Sequence, residues 1–513
     1  MAKNFYITTP IYYPSAKPHM GHAYSSIIAD FFARFKRIDG FNVSFLTGTD
    51  EHGLKIQRAA ENKGEEPLKF CDEISKTFRN LSKTLNLTNT DFIRTTEKRH
   101  KKSVQNLWNE LKKNDDIYLS KYSGWYSVSD EAFYTEDEID EIDGKKISIT
   151  SKSPVEWMDE ESYFFRLSKW EKKLLDYYKD NPDFISPKSR KNEVISFVKG
   201  GLKDLSVSRK SFSWGIPVPN DKEHVIYVWL DALTNYISAL NYPDTDDQMY
   251  KTFWPASIHL IGKDILRFHA VYWPAFLLAA KLPLPKKVYG HGWILSNEEK
   301  MSKSKGNILD PIEIIEQYGL DPLRYYLIKE VSFGNDGNIS QEKLEDCINS
   351  DLANNFGNLC QRVTAFAIKN CKGSIPKIIE FNNDDLKILD KFKSNFNLIR
   401  DKIDNQDINF YIDFIVNSLF ETNKYFNDEE PWKKKDNILR LNTIVYTALE
   451  IIRKISYMLY PIIPQSSLNA LKIFSIDEKK IDFSSIENHN YLKGGDKINK
   501  IDILFKKIEK KND

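Results

Sequence analysis

Cysteine is scarce in this 513-residue chain, and its spacing excludes more than its number does. The four cysteines are Cys71, Cys347, Cys360 and Cys371. No two of them form a Cys-x-x-Cys pair, so there is neither a metal-knuckle spacing nor a disulfide framework. A reducing, cytoplasmic setting is expected. Long apolar runs are also missing, and no stretch reaches the roughly 18–20 apolar residues of a membrane-spanning helix. Met1-Ala2-Lys3-Asn4 leads straight into an apolar strand, with no signal-peptide core and no Arg/Ser-rich transit segment. An excess of one charge is absent as well, since 74 basic residues meet 73 acidic ones. Any contact with nucleic acid must therefore come from local basic surface. The length predicts two to four domains, each with its own core.

What is present begins with a strand–helix–strand pattern. Phe5-Tyr6-Ile7-Thr8 reads as a buried strand, and Pro10, Pro14 and Pro18 hold the loop after it extended. A helix starts near Gly21, with Ile28, Phe31 and Phe35 on one face, and stops near Gly40. Val43-Ser44-Phe45-Leu46 is the second strand. The unit predicts a parallel sheet with a right-handed crossover. His19, Gly21 and His22 lie where the loop meets the helix N-terminus. Exposed backbone N–H groups and the positive dipole end favour a phosphate there. The second strand runs into Thr47-Gly48-Thr49-Asp50-Glu51-His52-Gly53, a polar cluster at the carboxyl end of a parallel strand, where open α/β sheets bind ligands. Asp50 suits either a helix cap or a substrate ammonium group.

Residues 116–225 interrupt the α/β pattern with short mixed elements. Tyr227–Leu233 returns to the sheet. Trp229, Ala232, Leu233 and Tyr236 share one face, as do Ile265, Phe268, His269 and Trp273 after the strand Ile258-His259-Leu260-Ile261. Residue type alone favours core packing for these positions, yet a soft aromatic wall also suits a thioether. Val288–Trp293 ends in a glycine-rich turn at Gly290, His291 and Gly292, and Asp264 lies in the turn after the strand Ile258-His259-Leu260-Ile261. Lys300-Met301-Ser302-Lys303-Ser304 follows, a Ser/Lys-rich loop. Beyond about Asp346 the pattern is helical. Leu386, Leu389, Phe392, Phe396, Ile399 and Ile403 mark one amphipathic helix, and Leu441, Ile444, Ala448, Ile451 and Ile455 mark another. Asn358 and Arg362 lie one turn apart, and Trp432 follows a proline. An amide, a guanidinium and an indole are what unstacked RNA bases need.

His19-Met20-Gly21-His22 and Lys300-Met301-Ser302-Lys303-Ser304, in this order and far apart, resemble the two signatures of class I aminoacyl-tRNA synthetases. The residues between and after them resemble the methionyl-tRNA synthetase family along nearly the whole chain. The resemblance implies a Rossmann-like doubly wound catalytic domain in two halves (1–115 and 226–295). A connective insertion (116–225) would separate them. A loop and stem-contact region (296–350) and an all-α anticodon-binding domain (351–513) would follow. It implies ATP with Mg²⁺, L-methionine and tRNA(Met), initiator and elongator alike, for a cytoplasmic monomer with no membrane contact. His19, His22, Lys300 and Lys303 would be catalytic, and Gly21 and Ser302 would join them in holding ATP, with Gly290, His291 and Gly292 against adenine and Asp264 accepting from ribose hydroxyls. Asp50 would hold the amino group of methionine. Ile11 and Tyr13 would line the pocket with Trp229, Ala232, Leu233, Tyr236, Ile265, Phe268, His269 and Trp273. Asn358, Arg362 and Trp432 would read the anticodon. Arg209, in Ser208-Arg209-Lys210, resembles a segment beside the active site. The insertion departs from many relatives because it holds no cysteine, which implies the form without structural zinc. At about 110 residues it is also too short for the hydrolytic editing domain of related enzymes. Two other readings fit parts of the pattern, a class I enzyme for another amino acid and a non-catalytic RNA-binding paralogue.

Overall fold

The computed structural model describes residues 3–14, 17–127, 132–134, 136–142, 144–149, 151–296, 299–300 and 310–509. The chain forms two units, one of residues 4–18 and 43–291, the other of residues 1–3, 19–42 and 292–513.

The first unit is built on a six-stranded sheet. Its strands are β1 (Asn4–Tyr12), β2 (Asn42–Thr49), β3 (Asp91–Arg94), β4 (Ile185–Ser186), β5 (Ile258–Gly262) and β6 (Val288–His291). Their order is β3-β2-β1-β5-β6-β4. The pairs β2–β3, β1–β5, β5–β6 and β6–β4 are parallel. Phe5, Tyr6 and Ile7 are buried in succession, the continuous apolar run of a strand covered on both faces. From β1 the chain builds outward through β2 and β3, then returns to the other side of β1 with β5. This reversal is a Rossmann-like switch point, and ligands bind in the crevice at the carboxyl ends of the strands flanking it. Gly48 allows β2 and β3 to pair closely, because a Cβ there would lie 2.0 Å from the Ile93 carbonyl oxygen.

The expected insertion is mainly antiparallel. Ile117–Ser127 pairs with Glu156–Phe165 from Ile117 opposite Phe165 to Tyr126 opposite Glu156. It is not one uninterrupted excursion, however. Within residues 116–225, β4 joins the edge of the main sheet, with Ile185 opposite Val288 and Ser186 opposite Tyr289. A two-residue strand followed by Pro187 leaves no periodicity to read.

The second unit is largely helical. It holds α1 (Met20–Ile38), α2 (Asn358–Asn370), α3 (Asn383–Asp404), α4 (Ile408–Asp428) and α5 (Ile438–Leu459). On α3, Leu389, Phe392, Phe396, Ile399 and Ile403 are buried as one stripe, while Leu386 is half-buried. The aromatic face of α1 packs within this unit. Phe35 meets Phe483 at a ring distance of 5.0 Å and Tyr411 at 5.5 Å. Among the described residues no helix is long and apolar enough to cross a membrane.

Candidate functional site

In the first unit a buried aromatic cluster is built around Tyr236 and His269. The Tyr236 hydroxyl lies 2.6 Å from His269 Nε2, and His269 Nδ1 lies 3.0 Å from the Ile265 carbonyl oxygen. A carbonyl only accepts, so Nδ1 carries the proton and Nε2 accepts from the Tyr236 hydroxyl. Burial lowers the His269 pKa to about 4 and pushes the Tyr236 phenol up. The couple is therefore neutral at physiological pH, as an apolar ligand requires. A wide π-type turn over Phe268–Tyr272, a distortion frequent at functional sites, carries His269. Trp229 and Phe268 stack at 3.5 Å between centroids and 15° between planes. Trp273 is fully buried, 6.2 Å from the Tyr236 ring, and Ala232 and Leu233 are buried too. Sequence reasoning missed His259. This fully buried ring lies 4.1 Å from Tyr236 and 2.8 Å through Nδ1 from Thr8 Oγ1.

The histidine shift has a stability consequence. Below about pH 6.5 the unfolded chain takes up a proton that the folded His269 ring takes up only below about 4. The contribution present at neutral pH is thus lost as pH falls from 6.5 through 4, about 3 kcal/mol for this ring. The urea midpoint is expected to drop across that window, and to drop less in His269→Gln. Equal drops in both proteins would count against the assignment.

Other expected ligand residues lie at the strand ends. Asp50 is buried just after β2, and its N–H donates to the Tyr12 carbonyl over 2.9 Å. Tyr13 donates through its hydroxyl to the His52 carbonyl over 3.2 Å, and Ile11 is half-buried. Asp264 is exposed in the turn after β5, where Ile265 is half-buried. A Cβ at Gly262 would stand 2.6 Å from its Oδ1, so glycine makes room for that carboxylate. Gly290 lies in its strand close to Leu266, and His291, which ends that strand, is buried.

In the second unit, His19 caps α1 and His22 occupies its first turn. His19 Nδ1 accepts from the Gly21 N–H over 3.1 Å, and His22 Nδ1 accepts from the His19 N–H over 3.0 Å. Both rings therefore carry their proton on Nε2 when neutral. The His22 pKa lies well below the usual imidazole range, through burial first and the nearby His19 second. The rings stand 3.8 Å apart. A Cβ on Gly21 would lie 3.0 Å from the His19 ring, which explains the glycine between them. No acidic residue occupies the first turn. Two imidazole N–H donors at a helix N-terminus make an anion site.

The glycine turn has a packing reason of its own. A Cβ on Gly292 would lie 2.1 Å from the Asn335 carbonyl oxygen, so the chain's own backbone already requires glycine there. Glu299–Lys300 forms a short strand, with Lys300 opposite Leu295. Met301, Ser302, Lys303 and Ser304 lie outside the described residues.

The third group of expected residues is brought together on the helical unit. Arg362 Nη2 donates to Asn427 Oδ1 over 2.5 Å, and its guanidinium lies 5.2 Å from the Phe426 ring centre. Phe426 meets Trp432 edge-on at 6.3 Å. Asn358 is exposed on the helix that carries Arg362. Trp432 is 41% exposed, so it is a presented indole rather than a core anchor. Phe426 and Asn427 were not singled out by the sequence reading, because no local motif marks them. Lys433 and Lys434 are paired with Glu430 and Glu429 at 2.8 and 3.4 Å.

Two family models match the chain. One is described as class I tRNA synthetases (M), over residues 5–364, and the other as the anticodon binding domain of methionyl tRNA ligase, over residues 375–513. The chain belongs to the methionine–tRNA ligase family. It is 49% identical to the methionine–tRNA ligase of Brucella suis biovar 1 (strain 1330) over 486 residues, 94% of each chain. It is 49% identical to that of Rickettsia felis over 516 residues, 99% of each. Among solved structures it resembles Mycobacterium tuberculosis methionyl-tRNA synthetase in complex with methionyl-adenylate. That likeness has a TM-score of 0.96 and 43% identity over 98% of this chain and 99% of the other.

Within this family frame, three further side chains stand out that sequence reasoning left unassigned or misplaced. Arg209 is buried, 4.3 Å from the Tyr227 ring centre, and it donates to Ser206 Oγ and the Ser208 carbonyl, each over 2.6 Å. Within the insertion it also pairs with Glu160, Nε to Oε1 at 3.5 Å. Glu51 is fully buried and takes Arg94 through both oxygens, at 2.7 and 3.0 Å. Asp231 receives two imidazoles, His52 Nδ1 at 2.6 Å on one oxygen and His100 Nε2 at 2.7 Å on the other. Partners 131 and 179 residues away in the chain leave no local pattern to find.

Proposed function

We propose that the protein is a methionine–tRNA ligase. It activates methionine with ATP and then transfers the methionyl group to the 3′-terminal adenosine of tRNA(Met), initiator and elongator. The observation that carries this reading is full-length likeness to a synthetase complexed with methionyl-adenylate. A buried, neutral Tyr236–His269 couple among stacked aromatic rings also supports it.

In the first step the methionine carboxylate attacks the α-phosphorus of ATP. A P–O bond forms, the bond to the β-phosphate breaks, and pyrophosphate leaves. The carboxylate is already ionised at neutral pH, so no general base is needed. The barrier is set by orientation and by charge on the transferring phosphate. In the second step a terminal ribose hydroxyl, the 2′ position by class I analogy, attacks the acyl carbon and AMP leaves.

In this reading Asp50 holds the substrate ammonium, and Tyr236 and His269 face the side chain among Ile11, Tyr13, Trp229, Ala232, Leu233, Ile265, Phe268 and Trp273. His19 and His22 donate to ATP phosphates, with Lys300, Ser302 and Lys303 completing that set. Gly21 keeps the backbone close, and Asp264 takes the ribose. Gly290, His291 and Gly292 belong to the adenosine region by resemblance. Imidazole donors and lysines suit phosphate oxygens rather than a metal, so Mg²⁺ enters with ATP, held through its phosphates. The reading includes no structural zinc, because the insertion has no cysteine. It describes a cytoplasmic monomer with domain limits close to the two family models.

The test is amino-acid-dependent ATP–pyrophosphate exchange against all twenty amino acids. A dominant methionine signal supports the proposal. A stronger signal with another amino acid overturns the specificity, and no exchange from folded protein with Mg²⁺ overturns the enzyme reading. Asn358, Arg362 and Trp432 are assigned to the anticodon. Trp432→Ala is therefore expected to lower kcat/KM for tRNA charging by about 10–100-fold, the loss of one stacked base, with exchange unchanged. A parallel fall in exchange would refute that division of labour.

A further inference from the structure

The first unit holds a buried acid–imidazole clasp that the chemistry above does not use. The Asp231 side chain is 2% exposed. His52 and His100 keep its pKa down to about 2 against the opposing effect of burial, which is the largest single influence and acts upward. It is therefore a carboxylate, an acceptor only, and both imidazoles donate to it. His52 Nδ1–H meets Oδ2 at 2.6 Å and His100 Nε2–H meets Oδ1 at 2.7 Å. His100 Nδ1 lies 3.1 Å from Ser238 Oγ, which in turn lies 2.9 Å from the Thr234 carbonyl.

The clasp joins the segments on which the pocket reading depends. His52 stands two residues after Asp50. Asp231 sits in the short helix Trp229–Leu233, between Trp229 and Ala232. Ser238 belongs to the next turn, Asn235–Ser238, which carries Tyr236. His52 Nε2 is buried and has no hydrogen-bond partner among the described residues, so Asp231 is the group that fixes this ring. Apolar contacts alone do not set such an orientation, whereas two charge-assisted bonds to one carboxylate do.

We propose that Asp231, held by His52 and His100, is a positioning residue for amino-acid recognition. It sets the distance between the segment carrying Asp50 and the helix carrying Trp229, Ala232 and Leu233. The inference rests on the methionine reading of that pocket. Misplacing the two halves of the pocket weakens grip on the amino acid and leaves ATP binding alone.

The test is steady-state pyrophosphate exchange on the full chain, with separate KM values for methionine and ATP. Asp231→Asn is expected to raise the methionine KM at least tenfold with the ATP KM within about twofold. His52→Ala and His100→Ala should act alike. His52→Asn restores a donor near Nδ1 and His100→Gln restores one near Nε2, so each should recover most of the methionine KM. The proposal is overturned if methionine KM stays within twofold in Asp231→Asn, or if both KM values rise together. It is also overturned if the donor-restoring variants are as impaired as the alanine ones, since a merely structural role follows volume and not the donor. Failure of the wild-type protein to exchange with methionine would instead strike the pocket reading itself.

Discussion

His22→Ala is expected to lower the kcat of methionine-dependent pyrophosphate exchange by about 10²–10³-fold. The expectation follows from where the proton resides. His22 Nδ1 is occupied by the His19 N–H, so the neutral ring has its N–H at Nε2. Burial and the adjacent His19 hold its pKa well below the ordinary range. The ring therefore remains a neutral, oriented donor at working pH. Removing one pre-aimed donor from a phosphoryl transition state costs about 3–4 kcal/mol. The same substitution removes an acceptor that caps α1, and a lost cap costs about 1 kcal/mol of stability. The two effects separate by measurement, since exchange kinetics report the first and a melting curve the second. A rate loss under tenfold, with a melting shift of several degrees, would make His22 a cap and nothing more. The pH profile offers a second reading. The kcat of the wild-type protein should show no inflection near 6.5 from this ring, because its protonation lies well below that value.

The same residues show what a sequence can and cannot disclose. His19, Gly21 and His22 were legible because the relevant physics is local. A strand, a proline-held loop and a helix start fall within about twenty residues, and the helix N-terminus supplies the anion site. The aromatic residues Trp229 to Tyr236 and Ile265 to Trp273 drew notice for a related reason, since each set lies within one short stretch of helical turns. The orientation of His269 was not legible, because it depends on Tyr236 in a different segment. The clasp on Asp231 was missed for the same cause, compounded by base rates. An aspartate between leucine and alanine in an apolar stretch reads as a polar interruption until its two histidines arrive from elsewhere. The approach of the Asn335 backbone to Gly292 was not legible, because glycine marks close approach without saying what approaches. The contacts of α1 were not legible, because sequence adjacency to β1 and β2 is no guide to which distant residues a helix face meets. Phe31 and Phe35 meet Tyr411 at 5.6 and 5.5 Å, a contact across hundreds of residues.

Arg324→Leu is expected to destabilise the helical unit by about 3–5 kcal/mol, the cost of removing one partner from a buried charge cluster. Arg324 is fully buried. Nη2 donates to Asp30 Oδ2 over 2.7 Å and to the Pro461 carbonyl over 3.1 Å, while Nε donates to the Ile462 carbonyl over 2.8 Å. Burial pulls the guanidinium pKa down and Asp30 opposes it, and a guanidinium remains charged through such a shift. One planar group thus links α1 to the turn after α5, where Arg34 also donates to Asp30 over 2.8 Å and to the Tyr460 hydroxyl over 3.1 Å. Leucine fills much of the volume but strands two carbonyl oxygens and half the neutralisation of Asp30. Against a typical total stability of about 5–15 kcal/mol, that loss should lower the urea midpoint markedly and reduce soluble yield. Arg324→Lys should recover less than half, because one ammonium cannot reach a carboxylate and two separate carbonyls through a fixed fork. If Lys restores the midpoint fully, charge alone suffices and the forked geometry is incidental. A loss below about 1 kcal/mol for Leu would mean that Arg34 neutralises Asp30 unaided and that the carbonyls find water. The exchange kcat of folded Arg324→Leu protein at low temperature should stay near the wild-type value, which separates this structural bond from the donors at the start of α1.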